Sequence, residues 1–465
     1  MRLLHTSDWH LGRSFHRVGL LEAQAAFLDH LVATVHAHEV DAVLVAGDVY
    51  DRAVPPLPAV ELFDTALHRL AEAGVPTVMI SGNHDSARRL GVGAGLIERA
   101  GIHLRTDPAG IGTPVVLSDA HGEVALYGLP YLEPALVRGQ LGAEKAGHEA
   151  VLAAAMDRVR ADLAGRPAGT RSVVLAHAFV AGGAPSDSER DITVGGVAAV
   201  PAGVFDGVDY VALGHLHGSQ TVTPRVRYSG SPLAYSFSEA DHRKTMWLVD
   251  LGPATDSAGR TTGLDAPVTD SGGQADSAGP ATGSGRPATG SGRPATGSDG
   301  RATHPDAPAT DSDGQAADPD GQAADPDGPH GALLRAERVD CPVPRPLARI
   351  RGRLDDLLAD PALAPHEESW VEATLTDPVR PADPMARLTG RFPHTLNLVF
   401  DPERTDGGAG ASYAQRLRDR SDQQIAEDFV AHVRGGAGLD GPERTVLYGA
   451  FDDVRVDAAE REVGR

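Results

Sequence analysis

The 465-residue chain contains a single cysteine, Cys341. That excludes an intrachain disulfide framework and points to a reducing compartment. No uninterrupted run of about 18 apolar residues occurs, so a membrane-spanning helix is not expected. The stretch from Met1 to Asp8 has no apolar signal-peptide core, and a soluble cytoplasmic protein is the default expectation. Positive charge is also short: 42 Lys and Arg against 64 Asp and Glu leave a formal charge of −22. Such a surface argues against tight non-specific binding of nucleic acid by the chain alone. It leaves room for a nucleic-acid enzyme whose metal ions or partner supply the missing charge.

Large apolar residues almost vanish over 252–330, where Gly, Ala, Pro, Ser, Thr and Asp dominate. Gly-Arg-Pro-Ala-Thr-Gly-Ser recurs within 285–298, and Asp-Gly-Gln-Ala-Ala-Asp-Pro within 313–326. A repeat this short, with no apolar position, builds no core and reads as disorder. The segment holds twelve Asp against four Arg, so it accounts for eight of the net negative charges. Its flanks, Lys244–Asp250 and Ala332–Val339, read as two strands of a hairpin whose loop has been lengthened. Loop-closure entropy grows only logarithmically with length, so one folded unit can tolerate the excursion.

What the chain does have is a recurring pattern in its first half. Val43-Leu44-Val45-Ala46 is a buried-strand run that stops at Gly47 and is followed by Asp48. Four more apolar runs end the same way, leading into Asp8-Trp9-His10, Gly82-Asn83-His84-Asp85, His177 and Gly214-His215-Leu216-His217. Open α/β sheets place their chemistry at the carboxyl ends of strands. Neighbouring parallel strands are therefore expected to bring these side chains to one rim of one sheet. Between the strands, Leu21, Ala25, Leu28, Val32 and Val35, and then Val60, Phe63, Leu67 and Leu70, keep helical spacing and read as core stripes. His30, His36, His38 and His68 on those helices read as solvated.

The candidate metal ligands are Asp8, His10, Asp48, Asn83, His177, His215 and His217. Imidazole, carboxylate and amide oxygen without thiolate suit Mn²⁺, Fe²⁺ or Zn²⁺ at a reactive site. Seven ligands exceed the ordinary need of one ion. They suit two ions about 3.5–4 Å apart, bridged by a carboxylate and a water or hydroxide, an arrangement that hydrolyses phosphoesters.

These motifs, in this order, resemble the calcineurin-like metallophosphoesterases. The resemblance implies that Asp48 bridges the ions, that Asp8, His10 and His217 complete one site, and that Asn83, His177 and His215 complete the other. It further implies that His84 is not a ligand but faces the scissile phosphate as a catalytic group, with Asp85 orienting its ring. Asp8-Trp9-His10-Leu11-Gly12-Arg13, Gly47-Asp48-Val49-Tyr50-Asp51-Arg52, Ser186-Asp187-Ser188-Glu189-Arg190, Gly195-Gly196, Asp209 through His217 and Tyr228-Ser229-Gly230-Ser231-Pro232 are similar to the bacterial SbcD family of nuclease subunits. That family likeness implies an α/β fold: an αββα sandwich with a smaller α/β capping domain, here carrying a long disordered insertion.

The boundaries expected on this reading are a nuclease domain over 1–251 and the insertion over 252–330. A return strand and connector follow over 331–345, then a capping domain over 346–400 and a partly helical region over 401–465. In that last region Ile425, Phe429, Val430 and Val433 form an apolar stripe, a candidate docking element. The resemblance implies two divalent ions, with Mn²⁺ the first choice, and DNA ends and hairpins as substrate. It implies 3′-to-5′ exonuclease action on duplex ends and endonuclease action on hairpins or single strands. It also implies a homodimer, within a heterotetramer, joined to an SbcC-type coiled-coil ATPase. No G-x-x-x-x-G-K-[ST] loop occurs, so the ATPase must lie on another chain. Arg13, Arg17, Arg52, Arg88 and Arg89 flank the metal loops and are candidate DNA-phosphate contacts. A small-molecule or nucleotide phosphodiesterase with the same metal core, and a non-catalytic scaffold subunit, are the rival readings.

Deletion of 252–330 is expected to leave a folded core that still binds divalent metal. Loss of metal-binding protein on that deletion would show that the segment belongs to the fold.

Overall fold

Parallel strands covered on both faces need continuous apolar runs rather than alternation. Ala42–Ala46, Thr77–Ile80 and Tyr210–Gly214 supply such runs, and every residue in them is buried. The structure, a computed structural model, describes residues 1–190, 192, 199–254, 332–402, 420–434 and 438–451.

The strands form two six-stranded sheets. The first has the order Ala332–Asp340, Thr245–Ala254, Arg2–Thr6, Ala42–Ala46, Thr77–Ile80, Ile102–Arg105. Its last four strands are parallel, and the first two close one side as an antiparallel hairpin in which Thr245 faces Asp340. The second has the order Gln220–Thr223, Val226–Tyr228, Tyr210–Gly214, Arg171–His177, Gly122–Leu129, Val115–Asp119. Its four central strands are parallel.

Side-chain alternation then dictates the layers. Leu3, Leu44, Val78 and Ile80 point from the first sheet to Leu126, Val173, Leu175 and Tyr210 of the second. Leu4, Val43, Val45 and Met79 point the other way, onto helices Leu21–Ala37 and Leu57–Glu72. The second sheet buries Tyr127, Val174, Val211 and Leu213 against helices Pro134–Leu141 and His148–Leu163. The result is an αββα sandwich.

Three polar devices stitch the two sheets. His5 is fully buried between them, with Nε2 3.1 Å from the Leu213 carbonyl and Nδ1 2.9 Å from the Tyr210 hydroxyl. Trp247 Nε1 donates to the Tyr228 carbonyl at 2.9 Å. At the amino-terminal ends of the strands, the buried Arg171 guanidinium donates to Asp119 and to the carbonyls of Gly122, Leu251 and Gly252. The amino terminus of Met1 lies 2.8 Å from the same Asp119.

Two sequence expectations change. The five ligand-bearing strand ends belong to two sheets, not one: three to the first and two to the second. Packing of the sheets face to face puts their carboxyl-terminal rims side by side, which no single strand pattern encodes. The strand that leads into the insertion also continues to Ala254, past the boundary expected at 251. The remainder of the expected insertion, from 255 to 330, lies outside the described residues.

By chain contacts the protein divides into one unit of Met1–Ile350, Leu357–Ala373 and Met385–Leu398 and another of Arg351–Asp356, Thr374–Pro384 and Val399–Arg465. A three-stranded sheet runs in the order Leu347–Gly352, Trp370–Leu375, Thr395–Phe400. Within the first unit Phe15, Leu20, Leu233, Tyr235 and Phe237 form a cluster against Leu347, Trp370 and Leu396. The second unit contains helix Asp422–Val433 and a helical stretch over 441–451, tied by Arg444–Glu427 at 2.5 Å and Arg434–Glu443 at 2.8 Å. Of the apolar stripe, Phe429 and Val433 are exposed and Ile425 and Val430 half-buried. Parts of the expected 401–465 region (403–419, 435–437 and 452–465) lie outside the described residues.

Asp119 tests the stitching at the amino-terminal edge. Burial alone would push its carboxyl up, but the Arg171 guanidinium and the Met1 ammonium hold it below the usual carboxylate range. Its contribution to stability is therefore present above its ordinary value of 3.8 and lost as pH falls through the lower folded value. Asp119→Asn leaves Arg171 charged and buried, and is expected to cost about 3–5 kcal/mol in urea denaturation. An unchanged midpoint would show that the carbonyls alone satisfy the guanidinium.

Candidate metal centre

All five expected loops converge. Asp8, His10, Asp48, His177, His215 and His217 are each at most 4% exposed, and Asn83 is half-buried beside them. Donor atoms of Asp8, His10 and His217 lie within 4.8 Å of one another, as do those of Asp8, Asp48 and His177, and of His10, Asp48 and His84. Asn83 Oδ1 lies 2.8 Å from His177 Nε2 and 3.2 Å from His215 Nδ1. Asp48 Oδ2 sits between the groups, 3.7 Å from His10 Nε2 and 3.5 Å from His177 Nε2.

The backbone is bent to achieve this. Asp8, His10, Asp48 and His215 have φ of 53°, 45°, 48° and 106°. Left-handed backbone costs non-glycine residues about 1–3 kcal/mol each and persists only where the surroundings impose it. The imposing contacts are visible: Asp8 N–H donates to the Gly47 carbonyl at 3.0 Å, His10 N–H to that of Asp48 at 2.9 Å and Leu11 N–H to that of Val49 at 2.9 Å. The first two ligand loops thus form a ladder. The third and fifth are brought in by glycine. A Cβ on Gly82 would collide with the Asp48 carboxylate and amide, and one on Gly214 with the Ala46 carbonyl.

Electrostatically the cluster is a set of acceptors facing acceptors. His177 Nδ1 lies 2.9 Å from the Ala46 carbonyl, which can only accept, so Nδ1 carries the proton. Nε2 of the neutral ring is then a lone pair, and it faces Asn83 Oδ1 and Asp48 Oδ2. Burial, then the Asp48 charge, push Asp8 well above the usual carboxylate range. Burial, and next the neighbouring imidazoles, hold His10 and His215 well below the usual imidazole value, and burial lowers His177. Every shift opposes a buried charge that lacks a counter-charge. Among the described residues, neither the buried His10 Nδ1 nor the buried Asn83 Nδ2 has a hydrogen-bond partner. Oxygen and imidazole donors in this crowded, dry arrangement fit divalent cations.

His84 lies at the edge of the cluster, its Nε2 4.0 Å from Asp48 Oδ2. Its Nδ1 is 2.7 Å from the Asp51 carbonyl, and its backbone N–H donates to Asp48 Oδ1 at 2.8 Å. The ring is therefore oriented by Asp51 and not, as expected, by Asp85. The Asp85 carboxylate instead accepts backbone N–H bonds from Val49, Tyr50 and Gly82 at 2.9–3.1 Å. It clasps the second ligand loop to the third, and burial followed by the Asp48 charge pushes it up to about 7.

The five arginines separate. Arg13 is engaged: it donates to the Ser188 carbonyl at 3.0 Å, lies 3.7 Å from Asp51 and stacks over Tyr235. Arg89 donates to the Ala53 carbonyl at 2.8 Å, and Arg52 lies 3.3 Å from Asp51. Arg17, Arg52, Arg88 and Arg89 are exposed.

Sequence reading passed over several supports. Gln24, buried in helix Leu21–Ala37, donates to the His10 carbonyl at 2.7 Å and accepts from Gly12 N–H at 3.0 Å. A polar residue on the apolar face of that helix was the available signal. Tyr235 donates to the Trp9 carbonyl at 2.5 Å, and its ring packs edge-on against His10 and His217. Arg190 donates to the Asn83 carbonyl at 3.2 Å.

Residues 1–219 match the family model for calcineurin-like phosphoesterases. Residues 343–434 match that for the Type 5 capsule protein repressor C-terminal domain, the SbcD C-terminal domain. Among solved structures, TT1561 of Thermus thermophilus is 13% identical, with 53% of this chain and 92% of that chain covered and a TM-score of 0.33. A novel archaeal phosphodiesterase is 10% identical, with 54% and 93% covered and a TM-score of 0.24. A dimetal phosphatase from Danio rerio is 13% identical, with 49% and 86% covered and a TM-score of 0.27.

Gly82→Ala is expected to displace Asp48 and weaken Mn²⁺ binding at least about tenfold by titration calorimetry, with circular dichroism retained. Gly19→Ala, where an added Cβ meets nothing within 4 Å, serves as the control and should bind as wild type. Equal affinity in both variants would refute the close approach as a requirement of the site.

Proposed function

The chain belongs to the calcineurin-like phosphoesterases, metal-dependent hydrolases, and carries an SbcD C-terminal domain; from this premise we propose that it is a DNA nuclease. The observation that carries the reading is the placement of Asp48 between two donor groups. Asp8, His10 and His217 form one donor group and Asn83, His177 and His215 another, with Asp8 also within reach of Asp48 and His177. In this proposal those two groups, together with Asp48, would hold two divalent ions, Mn²⁺ by preference. Bound ions would supply Lewis acidity at the phosphate and lower the pKa of the attacking water.

The chain's own residues do the rest. His177 holds its Nε2 lone pair inward because its Nδ1 is committed to the Ala46 carbonyl, and the left-handed backbone at Asp8, His10, Asp48 and His215 turns those residues toward the same cleft. His84, with Nδ1 committed to the Asp51 carbonyl, presents Nε2 to the substrate side. In its protonated form it can give that proton to the leaving oxygen as the bond from phosphorus to that oxygen breaks and the bond to water forms. Arg17, Arg52, Arg88 and Arg89 are the exposed cations available to flanking phosphates.

The charge of −22 argues against a tight grip on DNA by this chain alone, and a partner can supply the rest. An SbcC-type coiled-coil ATPase is the partner proposed here, with a homodimer of this chain inside a heterotetramer. Phe429 and Val433, 59% and 65% exposed, give helix Asp422–Val433 an apolar face for docking it. No helix among the described residues is long and apolar enough to cross a membrane. A cytoplasmic location belongs to the same proposal.

The test is cleavage of an end-labelled DNA hairpin with added Mn²⁺, with and without the ATPase partner and ATP. Wild type is expected to cut. Asp48→Ala and His84→Ala are expected to lose at least about a hundredfold in rate, the ordinary scale for a general acid. Absence of cutting under every condition, together with rapid hydrolysis of a small phosphodiester, would keep the hydrolase and overturn the DNA substrate. Copurification with the ATPase without any metal-dependent hydrolysis would favour a scaffold.

A further inference from the structure

The ring of His217 is gripped from outside the donor loops. Its Nδ1 lies 2.5 Å from Ser188 Oγ and 3.3 Å from Glu239 Oε1. Ser188 Oγ in turn hydrogen-bonds Glu239, and Glu239 pairs with the Lys244 ammonium. Lys244 Nζ also donates to the His217 carbonyl and to Ser231 Oγ, each at 3.0 Å. Ser188, Glu239 and Lys244 are no more than 9% exposed. The backbone of the same histidine is held as well, since His217 N–H donates to Glu189 Oε1 at 2.7 Å.

Donor and acceptor counting fixes the direction of this chain. A carboxylate paired with a buried ammonium is ionised and can only accept. Ser186 Oγ, 3.1 Å from Ser188 Oγ, gives its own proton to Glu189 Oε2. Two oxygens as close as Ser188 Oγ and Glu239 Oε1 need a proton between them, so the single hydroxyl proton of Ser188 goes to Glu239 and leaves Ser188 Oγ to accept from His217 Nδ1–H. With Nδ1 protonated, the lone pair of the neutral ring sits on Nε2. That atom faces His10 Nε2 at 3.0 Å, inside the donor group formed with Asp8. A histidine can ligate through Nε2 only in this tautomer, and its other nitrogen usually sets which tautomer is present.

We propose that Ser188 and Glu239 are positioning residues that hold His217 in the Nδ1–H tautomer and so present Nε2 as a ligand. Lys244 keeps Glu239 ionised for that purpose. The grip reaches the metal site from a loop, 186–190, that is separate in sequence from every donor motif. The consequence for metal binding rests on the two-metal reading above; the tautomer itself does not.

A buried Glu–Lys pair that merely fills the core would leave the tautomer of His217 indifferent to Ser188. The experiment uses the full chain, metal-free, labelled with ¹⁵N-histidine, with the His217 signals identified by their absence from His217→Asn. Wild type and Ser188→Thr are expected to show a protonated Nδ1 and a bare Nε2, and Ser188→Ala a mixed or reversed tautomer. Calorimetric titration with Mn²⁺ is expected to show one of two ions bound about 10–100-fold more weakly in Ser188→Ala, with recovery in Ser188→Thr. Glu239→Gln should act in the same direction, and if it does not fold, Ser188→Ala decides alone. An Nδ1–H tautomer retained in Ser188→Ala overturns the assignment. So does an unchanged Mn²⁺ affinity in Ser188→Ala when wild type binds two ions. A wild type that binds no divalent ion would instead defeat the two-metal reading, with the spectra still deciding the role of Ser188.

Discussion

Lone pairs pressed against lone pairs in a dry cleft are the constraint on which the rest of this protein depends. Imidazole nitrogens, carboxylate oxygens and an amide oxygen from five loops stand within a few ångströms of each other, and most of them are buried. Left to themselves such groups repel, take up or shed protons, or turn away. Several stay because their other polar atoms are already committed: His177 to the Ala46 carbonyl, His84 to the Asp51 carbonyl, Asp8 to the amide of His215 and the hydroxyl of Ser7. Divalent cations are the partners that would turn this arrangement from costly to favourable.

The sandwich exists in a form that can bear that cost. Five ligand loops hang from strands buried on both faces, so the loops inherit the rigidity of two packed sheets. The ladder between residues 8–11 and 47–50 and the Asp85 clasp on Val49, Tyr50 and Gly82 extend sheet-like order past the strand ends. Local strain at Asp8, His10, Asp48 and His215 is thereby set against a large apolar core. Placement of the ionised groups follows the same division. The Arg171–Asp119 pair closes the amino-terminal edge, while the carboxyl-terminal rim is left rich in acceptors.

Much of the site was legible in the chain because strand ends are local events. An apolar run that stops at glycine or enters Asp-x-His announces both the element and the residue at its tip, and the helical stripes announce the covering layers. What escapes are groups whose importance comes from a neighbour distant in sequence. Gln24 looks like a stray polar residue until the His10 carbonyl is found above it. Glu239 and Lys244 look like ordinary charges on a polar stretch, yet they close on a histidine more than twenty residues earlier. Asp85 misleads for the same reason: adjacency to His84 suggests that it orients the ring, whereas its oxygens are taken by backbone amides of Val49, Tyr50 and Gly82.

By itself, then, the sequence determined which residue types would meet, at which ends of which strands, and that their chemistry is that of a divalent-metal hydrolase. Periodicity and turn signals act over a few residues, and donor chemistry is intrinsic to the side chain, so both survive in a one-dimensional record. Only the tertiary structure decided that the candidate ligands come from two facing sheets, that the Asp48 carboxylate lies between their groups, and which nitrogen of each gripped imidazole is free. Those facts depend on what lies across the core from a residue, and a hydrogen-bond partner two hundred positions away leaves no mark on the local pattern.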